Sequence, residues 1–213
     1  ALVGGDGAIT MVLGAEYAAA GFTTHTEFDN GTTNEEVAIT YGSGVTTNQT
    51  YNMKTSDTTL TATGMTGNLT VAAIEADLES RDTITGGSGT DTLEITFIST
   101  ASSAADIGSV TSIETYKVAN DATHAGFTFA DANFVSNNFT VNAAAITTAT
   151  NTFTVDASAE DDSTMTLTGS AGVDTVTGTA VTATGDTIST GGGADIITGG
   201  RGNDTITGGA GAD

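Results

Sequence analysis

The chain of 213 residues has no cysteine, no proline, no tryptophan and only 4 basic residues against 26 acidic ones. Without cysteine, neither disulfides nor thiol chemistry contributes. A net charge of −22 leaves no basic patch, which excludes nucleic acid and anionic membrane surfaces as partners. No apolar run approaches the roughly 18 residues that a membrane span needs. Such acidity favours divalent cations as partners, with salt adaptation or solubility as the alternative.

Catalytic motifs are also missing. The two histidines, His25 and His124, form no H-E-x-x-H pair, and no G-x-S-x-G elbow is present. The acidic run at 160–162 fits a solvated or calcium-associated loop better than the separated carboxylates of a glycosidase. An alternating stretch places His25, Glu27 and Asp29 on one face, where a solvated strand is favoured over a metal site. We therefore predict that the protein is not an enzyme.

A nine-residue repeat dominates the C-terminal part. Residues 199–207 read GGRGNDTIT, residues 190–198 read TGGGADIIT, and residues 208–213 begin a further copy. An isolated copy, GGSGTDTLE, occupies residues 86–94. The pattern G-G-x-G-x-D-x-U-x, with U a large apolar residue, is the signature of a calcium-binding parallel β-roll.

The chemistry of this repeat explains its composition. Glycine permits the positive φ angles of a tight bend and lets backbone carbonyls approach an ion. The aspartate adds a carboxylate, and Ca²⁺ takes six to eight oxygen ligands. Each nonapeptide is half a coil, and its apolar residue points inward (Leu93, Val176, Ile188, Ile197 and Ile206). Stacked carboxylates repel unless a cation lies between them, so we expect calcium binding and folding to be coupled.

The predicted fold is all-β, a parallel β-solenoid or β-roll. Apolar residues alternate in five pieces, 113–118, 126–130, 138–142, 151–156 and 164–169. Their spacing of roughly 12–13 residues shortens to nine in the repeats, which suggests one solenoid that narrows toward its C-terminal end. Threonine and asparagine fill the outward positions.

We divide the chain near residue 80. Residues 1–80 form a less regular β-rich region, either a unit for assembly or a continuation of the solenoid, and an immunoglobulin-like sandwich is the alternative there. Residues 11–20 are the best helix candidate. Residues 81–213 form the solenoid, with calcium-binding repeats at 82–94 and 169–213. Writing Asp213 before Ala1 keeps the repeat in frame, so we expect a longer native chain or copies stacked end to end, unless the match is coincidence.

The repeats resemble those of RTX proteins, which type I secretion systems export from Gram-negative bacteria and which fold in extracellular calcium. The order of elements, GGSGTDTLEITF, a spacer, VTSIETYKVAND (110–121) and a final repeat cluster, is similar to the C-terminal part of caulobacter-type S-layer proteins. That resemblance covers about residues 82–213. It implies several Ca²⁺ ions, held by aspartates and by glycine carbonyls of the bends: Asp82, Gly86, Gly87, Gly89, Asp91, Gly172, Asp174, Asp186, Gly191, Gly193, Asp195, Gly199, Gly200, Gly202, Asp204, Gly208, Gly209, Gly211 and Asp213.

Within this list Asp174 and Asp82 fit the repeat least well. Ser170 replaces the second glycine before Asp174, and no glycine bend precedes Asp82.

The resemblance implies an extracellular structural protein, a calcium-dependent, self-assembling subunit of an S-layer or surface filament on a Gram-negative cell. Its partners would be other copies of itself, and a cell-surface polysaccharide is a further candidate. The alternatives are a segment of a secreted RTX adhesin and the C-terminal roll of a secreted enzyme. Aromatic residues make up 6% of the chain, which disfavours an aromatic carbohydrate platform and favours the structural role.

Overall fold

The computed structural model describes residues 9–13, 24–26, 37–53, 57–78, 82–98, 104–134 and 138–213. Within them lie two 3-10 turns, Glu75–Asp77 and Asp131–Asn133, and 18 short strands. The strands are Ile9–Leu13 (β1), Thr24–Thr26 (β2), Val37–Tyr41 (β3), Gln49–Asn52 (β4), Asp57–Thr61 (β5), Leu69–Ile74 (β6), Thr83–Thr85 (β7), Thr92–Thr96 (β8), Val110–Thr111 (β9), Thr115–Val118 (β10), His124–Thr128 (β11), Phe139–Asn142 (β12), Thr152–Asp156 (β13), Met165–Thr168 (β14), Val173–Thr177 (β15), Thr187–Gly192 (β16), Ile196–Thr198 (β17) and Thr205–Ala210 (β18).

Consecutive strands alternate between two faces of a coil. The even-numbered strands form one nine-stranded sheet from β2 to β18, and the odd-numbered strands form a five-stranded sheet (β1 to β9) and a four-stranded sheet (β11 to β17). Neighbouring strands in each sheet are parallel, for example β6 with β8 and β13 with β15. This is the predicted parallel β-solenoid. The immunoglobulin-like alternative is wrong for the described strands, because such a sandwich is antiparallel.

A column of threonines runs along the outer face of the nine-stranded sheet. The strand registers align one threonine per even strand, where β-branching supports extended backbone. The column consists of Thr50, Thr70, Thr92, Thr115, Thr140, Thr166, Thr187 and Thr205, and the backbone of Thr24 is in register with Thr50. Outward threonine was predicted, and the register shows that it repeats once per coil.

Inward positions carry the apolar residues of the predicted pieces. In β8, Leu93 and Ile95 are fully buried and alternate with the half-buried Thr92, Glu94 and Thr96. The pieces predicted from 113 to 169 correspond to β10, β11, β12, β13 and β14. Alternation with period two therefore located both the strands and their buried faces.

The coil narrows toward the C-terminal end, as predicted. Inter-coil hydrogen bonds span 26 residues at Thr164–Asn138, 21 residues at Met165–Asp186 and 18 residues at Asp186–Asp204. Since one coil contains two strands, a nonapeptide supplies half of the narrowest coil. Residues nine apart therefore lie on opposite edges, and residues 18 apart stack.

The helix predicted at 11–20 is wrong for its first three residues, which belong to strand β1; residues 14–20 lie outside the described part. Helix-favouring composition is overridden there by parallel pairing of β1 with β3. The alternating face predicted at His25, Glu27 and Asp29 lies mostly outside the described residues. Only its first residue is described, as part of strand β2, Thr24–Thr26. None of the described segments forms a helix with the length and hydropathy of a membrane crossing.

The proposed division near residue 80 falls beside residues 79–81, which are outside the described part. β6 and β8 pair across it in one sheet, as do β5 and β7. The division into two regions stays a prediction.

Aromatic rings fill the middle of the solenoid. Phe134 and Phe139 stack with centroids 3.9 Å apart, and Tyr116 makes edge contacts with Phe129 and Phe127 at 4.9 and 5.9 Å. The buried core extends from Ile39 to Ile188, and only Ile197 adds to it beyond that point. The C-terminal coils consequently have a much thinner interior than the middle ones.

Candidate calcium-binding edges

The bends of the solenoid form two edges. We call the turns that lead from an odd strand into the next even strand the first edge; it includes 86–91, 157–164, 178–186 and 199–204. Turns that lead from an even strand into the next odd strand form the second edge, which includes 169–174, 190–195 and 208–213. The aspartates at 186, 195, 204 and 213 therefore alternate between the edges, and the structure stacks them in two separate sets.

One inward position decides the chemistry of the first edge. It immediately precedes each column threonine and is occupied along the sheet by Gln49, Leu69, Asp91, Glu114, Phe139, Met165, Asp186 and Asp204. In the wide coils this position is apolar at Leu69, Phe139 and Met165 and polar at Gln49 and Glu114, whereas the coils with repeats have aspartate there. On the odd-numbered strands, the equivalent position changes from Phe153 to Asp174. In different coils this inward position therefore holds an apolar side chain of the core, as at Phe139, or a carboxylate, as at Asp186.

The carboxylates join successive coils. Asp186 Oδ1 accepts a hydrogen bond from the Met165 N–H at 2.8 Å, and Asp204 Oδ1 accepts one from the Asp186 N–H at 2.9 Å. On the second edge, Asp195 Oδ1 accepts from the Asp174 N–H at 2.9 Å, and Asp213 Oδ1 accepts from the Asp195 N–H at 3.2 Å. Each aspartate therefore binds the backbone of the coil that precedes it.

Two degenerate bends satisfy their own aspartates. Ser170 donates its N–H to Asp174 Oδ2 at 2.9 Å and its hydroxyl to Asp174 Oδ1 at 2.5 Å. Thr179 does the same for Asp186, with an N–H bond of 2.7 Å and a hydroxyl bond of 3.0 Å. Both hydroxyl residues stand where the consensus has its second glycine. A single side chain thus supplies two donors to a buried carboxylate.

The pKa of Asp174 is raised by its buried position in this stack of carboxylates. The side chain is fully buried, and burial raises its pKa to about 6, a shift that the bonds from Ser170 oppose and the charge of Asp195 reinforces. Its ligand role stays a prediction.

The consensus bends lack that hydroxyl. Gly191 and Gly193 have φ angles of 103° and 128°, and Gly200 and Gly202 have 91° and 100°, which only glycine adopts without strain. A Cβ on Gly191 would lie 2.5 Å from the Ser170 carbonyl oxygen of the adjacent bend. Backbone therefore stacks on backbone, and carbonyl oxygens of one bend line the next.

These bends have the donors that calcium requires. Asp195 is 5% exposed, and its Oδ2 is buried without a hydrogen-bond partner. A buried, unpaired carboxylate oxygen is costly, and a cation among stacked carbonyls would satisfy it. In the described part of the chain, no group of three or more acidic or histidine side chains is placed to hold a metal. Carboxylate and backbone carbonyl oxygens, which these bends supply, are the ligand types that Ca²⁺ binds.

The isolated copy at 86–91 adopts a different bend. Its glycines at 87 and 89 are not among those with positive φ. Fully buried Asp91 accepts N–H bonds from Gly87 at 2.5 Å and Leu69 at 2.7 Å, while Glu114 Oε2 accepts the Asp91 N–H at 2.7 Å. Burial raises the pKa of both acids despite these bonds. Asp91 and Glu114 thus occupy the equivalent inward position in two successive coils.

The structure does not bring all of the predicted ligands together. Asp91 lies on the first edge beside β8, several coils from the bends at 178–186 and 199–204. Asp82, 5% exposed, precedes β7 on the second edge and follows the 3-10 turn Glu75–Asp77 in place of a glycine bend. The ligand roles of both stay predictions.

Sequence reasoning missed Glu114 and Thr179, and it identified Ser170 only as a departure from the repeat and not as a hydrogen-bond donor to Asp174. For Ser170, the available signal was a hydroxyl residue in the second position of an otherwise regular repeat. Thr179 lies seven residues before Asp186, so the nine-residue pattern gave no signal for it. For Glu114, the signal was the glutamate one residue before a column threonine.

A family model, RTX calcium-binding nonapeptide repeat (4 copies), matches residues 78–94 and 182–213. These stretches contain the isolated copy and the terminal cluster, so the chain carries RTX repeats at both places. RTX repeats bind calcium and are typical of secreted proteins. A search of the curated proteins and a search of the solved structures each found no match.

Proposed function

We propose that the protein is a calcium-stabilised, non-catalytic structural subunit of an extracellular assembly, an S-layer or surface filament on a Gram-negative cell. The observation that carries this proposal is a continuous nine-stranded solenoid sheet with RTX bends stacked at its C-terminal coils. At about 4.8 Å per strand, such a sheet extends roughly 40 Å. A rod of fixed length with an ion-dependent region is suited to be the repeating subunit of an S-layer or filament.

The distribution of side chains supports a structural role. The aromatic residues that the structure describes are buried: Tyr41, Tyr51, Phe97, Tyr116, Phe127, Phe129, Phe134, Phe139 and Phe153. Their rings therefore serve packing. The charge of −22 keeps separate subunits apart until cations neutralise it, which favours assembly that calcium controls.

Calcium titration of the full chain tests the proposal, with circular dichroism and electron microscopy on the same samples. Magnesium at matched concentration is the control, because it screens charge but demands a smaller, octahedral shell. We expect strand signal and ordered sheets or filaments to appear together with calcium and not with magnesium. Folding without assembly would contradict the structural role and favour an adhesin or export module. No response to calcium would contradict the calcium claim itself.

A further inference from the structure

Glu160 lies in a first-edge bend that contains no nonapeptide. The bend, residues 157–164, joins β13 to β14 directly before the bend at 178–186. The Glu160 N–H donates to the Ala157 carbonyl at 3.1 Å, and its own carbonyl accepts the Ala180 N–H at 2.6 Å. Thr179 in turn accepts the Arg201 N–H at 3.0 Å. Glu160 therefore belongs to the same stack of bends as the repeat at 199–204.

The Glu160 carboxylate is buried and half satisfied. Its side chain is 0% exposed. Oε1 accepts N–H bonds from Asp162 at 3.1 Å and Ser163 at 2.7 Å, whereas Oε2 is buried and has no hydrogen-bond partner. Leaving a carboxylate oxygen buried and unpaired is strongly unfavourable.

A second carboxylate lies beside it. Burial raises the pKa of Glu160, and interaction with the Asp162 side chain raises it further, against the opposing N–H bonds. The salt bridge within the described residues joins Lys117 to Glu94 at 2.7 Å, so among these residues no basic side chain neutralises Glu160. Asp162 is exposed and accepts a hydrogen bond from the Ser163 hydroxyl at 2.9 Å, whereas the buried Glu160 oxygen beside it would be stabilised by a shared proton or by a metal cation.

We propose that the bend at 157–164 binds a divalent cation through Glu160 Oε2 and the Asp162 carboxylate, as a site outside the nonapeptide pattern. The donors are oxygens, which favour calcium over metals that prefer nitrogen or sulfur. Binding there would neutralise the two acids and fix this bend against the one at 178–186. The first edge would then carry a cation one coil before the C-terminal bends at 178–186 and 199–204.

The test counts calcium ions per chain by equilibrium dialysis at saturating calcium near neutral pH. Glu160→Gln keeps the shape of the side chain and removes its charge, and Asp161→Asn removes the same charge from an adjacent exposed residue. We expect Glu160→Gln to bind one ion fewer than the wild type and Asp161→Asn to bind the wild-type number. A wild-type count for folded Glu160→Gln would overturn the proposal and indicate a shared proton.

A second variant keeps the test decisive if Glu160→Gln does not fold. Asp162 is exposed, so Asp162→Asn perturbs the interior less. The proposal predicts that this variant loses the same ion or binds it at least tenfold more weakly. An unchanged number of ions with unchanged affinity would overturn the proposal.

Discussion

At the scale of single residues, the second position of a bend decides how its aspartate is satisfied. Ser170 and Thr179 supply an N–H and a hydroxyl to Asp174 and Asp186. In the consensus bends a glycine takes this place, and Asp195 retains a buried oxygen without a partner. We infer that the hydroxyl bends depend less on calcium than the glycine bends do.

Ser170→Ala tests the hydroxyl contribution. The substitution removes one donor from a fully buried carboxylate, so we expect the free energy of unfolding to fall by about 1–3 kcal/mol. Urea denaturation at saturating calcium measures the change. Ser158→Ala is the control, since Ser158 is exposed, and it should shift the midpoint negligibly. Equal midpoints for both variants would show that the Ser170 hydroxyl contributes nothing.

Asp121 bridges two coils in a bend without a repeat. Hydrogen bonds lower its pKa to about 2, the largest effect coming from the Thr148 hydroxyl at 2.6 Å, followed by the N–H groups of Thr148 and Thr147. Because the folded pKa lies below the ordinary value of 3.8, the stability from this group is present above that value. It is lost as pH falls through about 2.

Thr148→Val should raise the pKa of Asp121 toward its ordinary value, because it removes the strongest donor. A carboxyl ¹³C NMR titration measures this shift directly. Thr150→Val, at a neighbouring exposed position, serves as the control and should leave the pKa low. A wild-type pKa near 3.8 would refute the bridging geometry.

The nine-residue spacing of glycine and aspartate predicted from the sequence where the bends of the C-terminal coils lie. Glu114 and Glu160 were different, because coil length varies outside the repeats and only the strand register shows which residues stack. The inward position at Glu114 became visible once the column threonines were aligned.

At the scale of strands, alternation predicted the inward faces well, since burial of every second residue requires it. Pairing direction followed from the repeat, because a nonapeptide coil can stack only in parallel. The strand at Ile9–Leu13 was not predictable in this way. Residues 11–13 begin a run, 11–20, whose alanine, leucine, methionine and glutamate favour a helix, and pairing with β3 makes them a strand instead.

Substitution of Phe139 tests the inward position of a wide coil. Phe139 is 1% exposed and stacks on Phe134, where aspartate stands in the repeats. We expect Phe139→Ala to lower the free energy of unfolding by about 3–5 kcal/mol. Ile98→Ala, at a side chain 62% exposed, is the comparison and should cost far less. Similar losses for the two variants in urea denaturation would contradict the assigned core.

At the scale of the whole molecule, we infer that core packing stabilises the middle coils and that bound calcium stabilises the C-terminal coils. Aromatic rings hold the middle coils, while the terminal coils bury little. Of the apolar repeat residues, Leu93, Val176 and Ile188 are buried as predicted and Ile197 is partly buried. Ile206 lies in register with buried Ile188, but its side chain is 47% exposed because β18 is the end strand of its sheet. We therefore expect the bends at 190–213 to depend most on calcium.

Hydrogen exchange of the full chain, with calcium and with a chelator, tests whether bound calcium orders the C-terminal coils. We expect amides of residues 187–213 to gain protection only with calcium, while those of β10 to β13 stay protected in both conditions. Asp195→Asn should reduce the calcium-dependent protection, and Asp161→Asn should not. Equal protection of residues 187–213 with and without calcium would contradict the central claim that bound calcium orders the terminal coils.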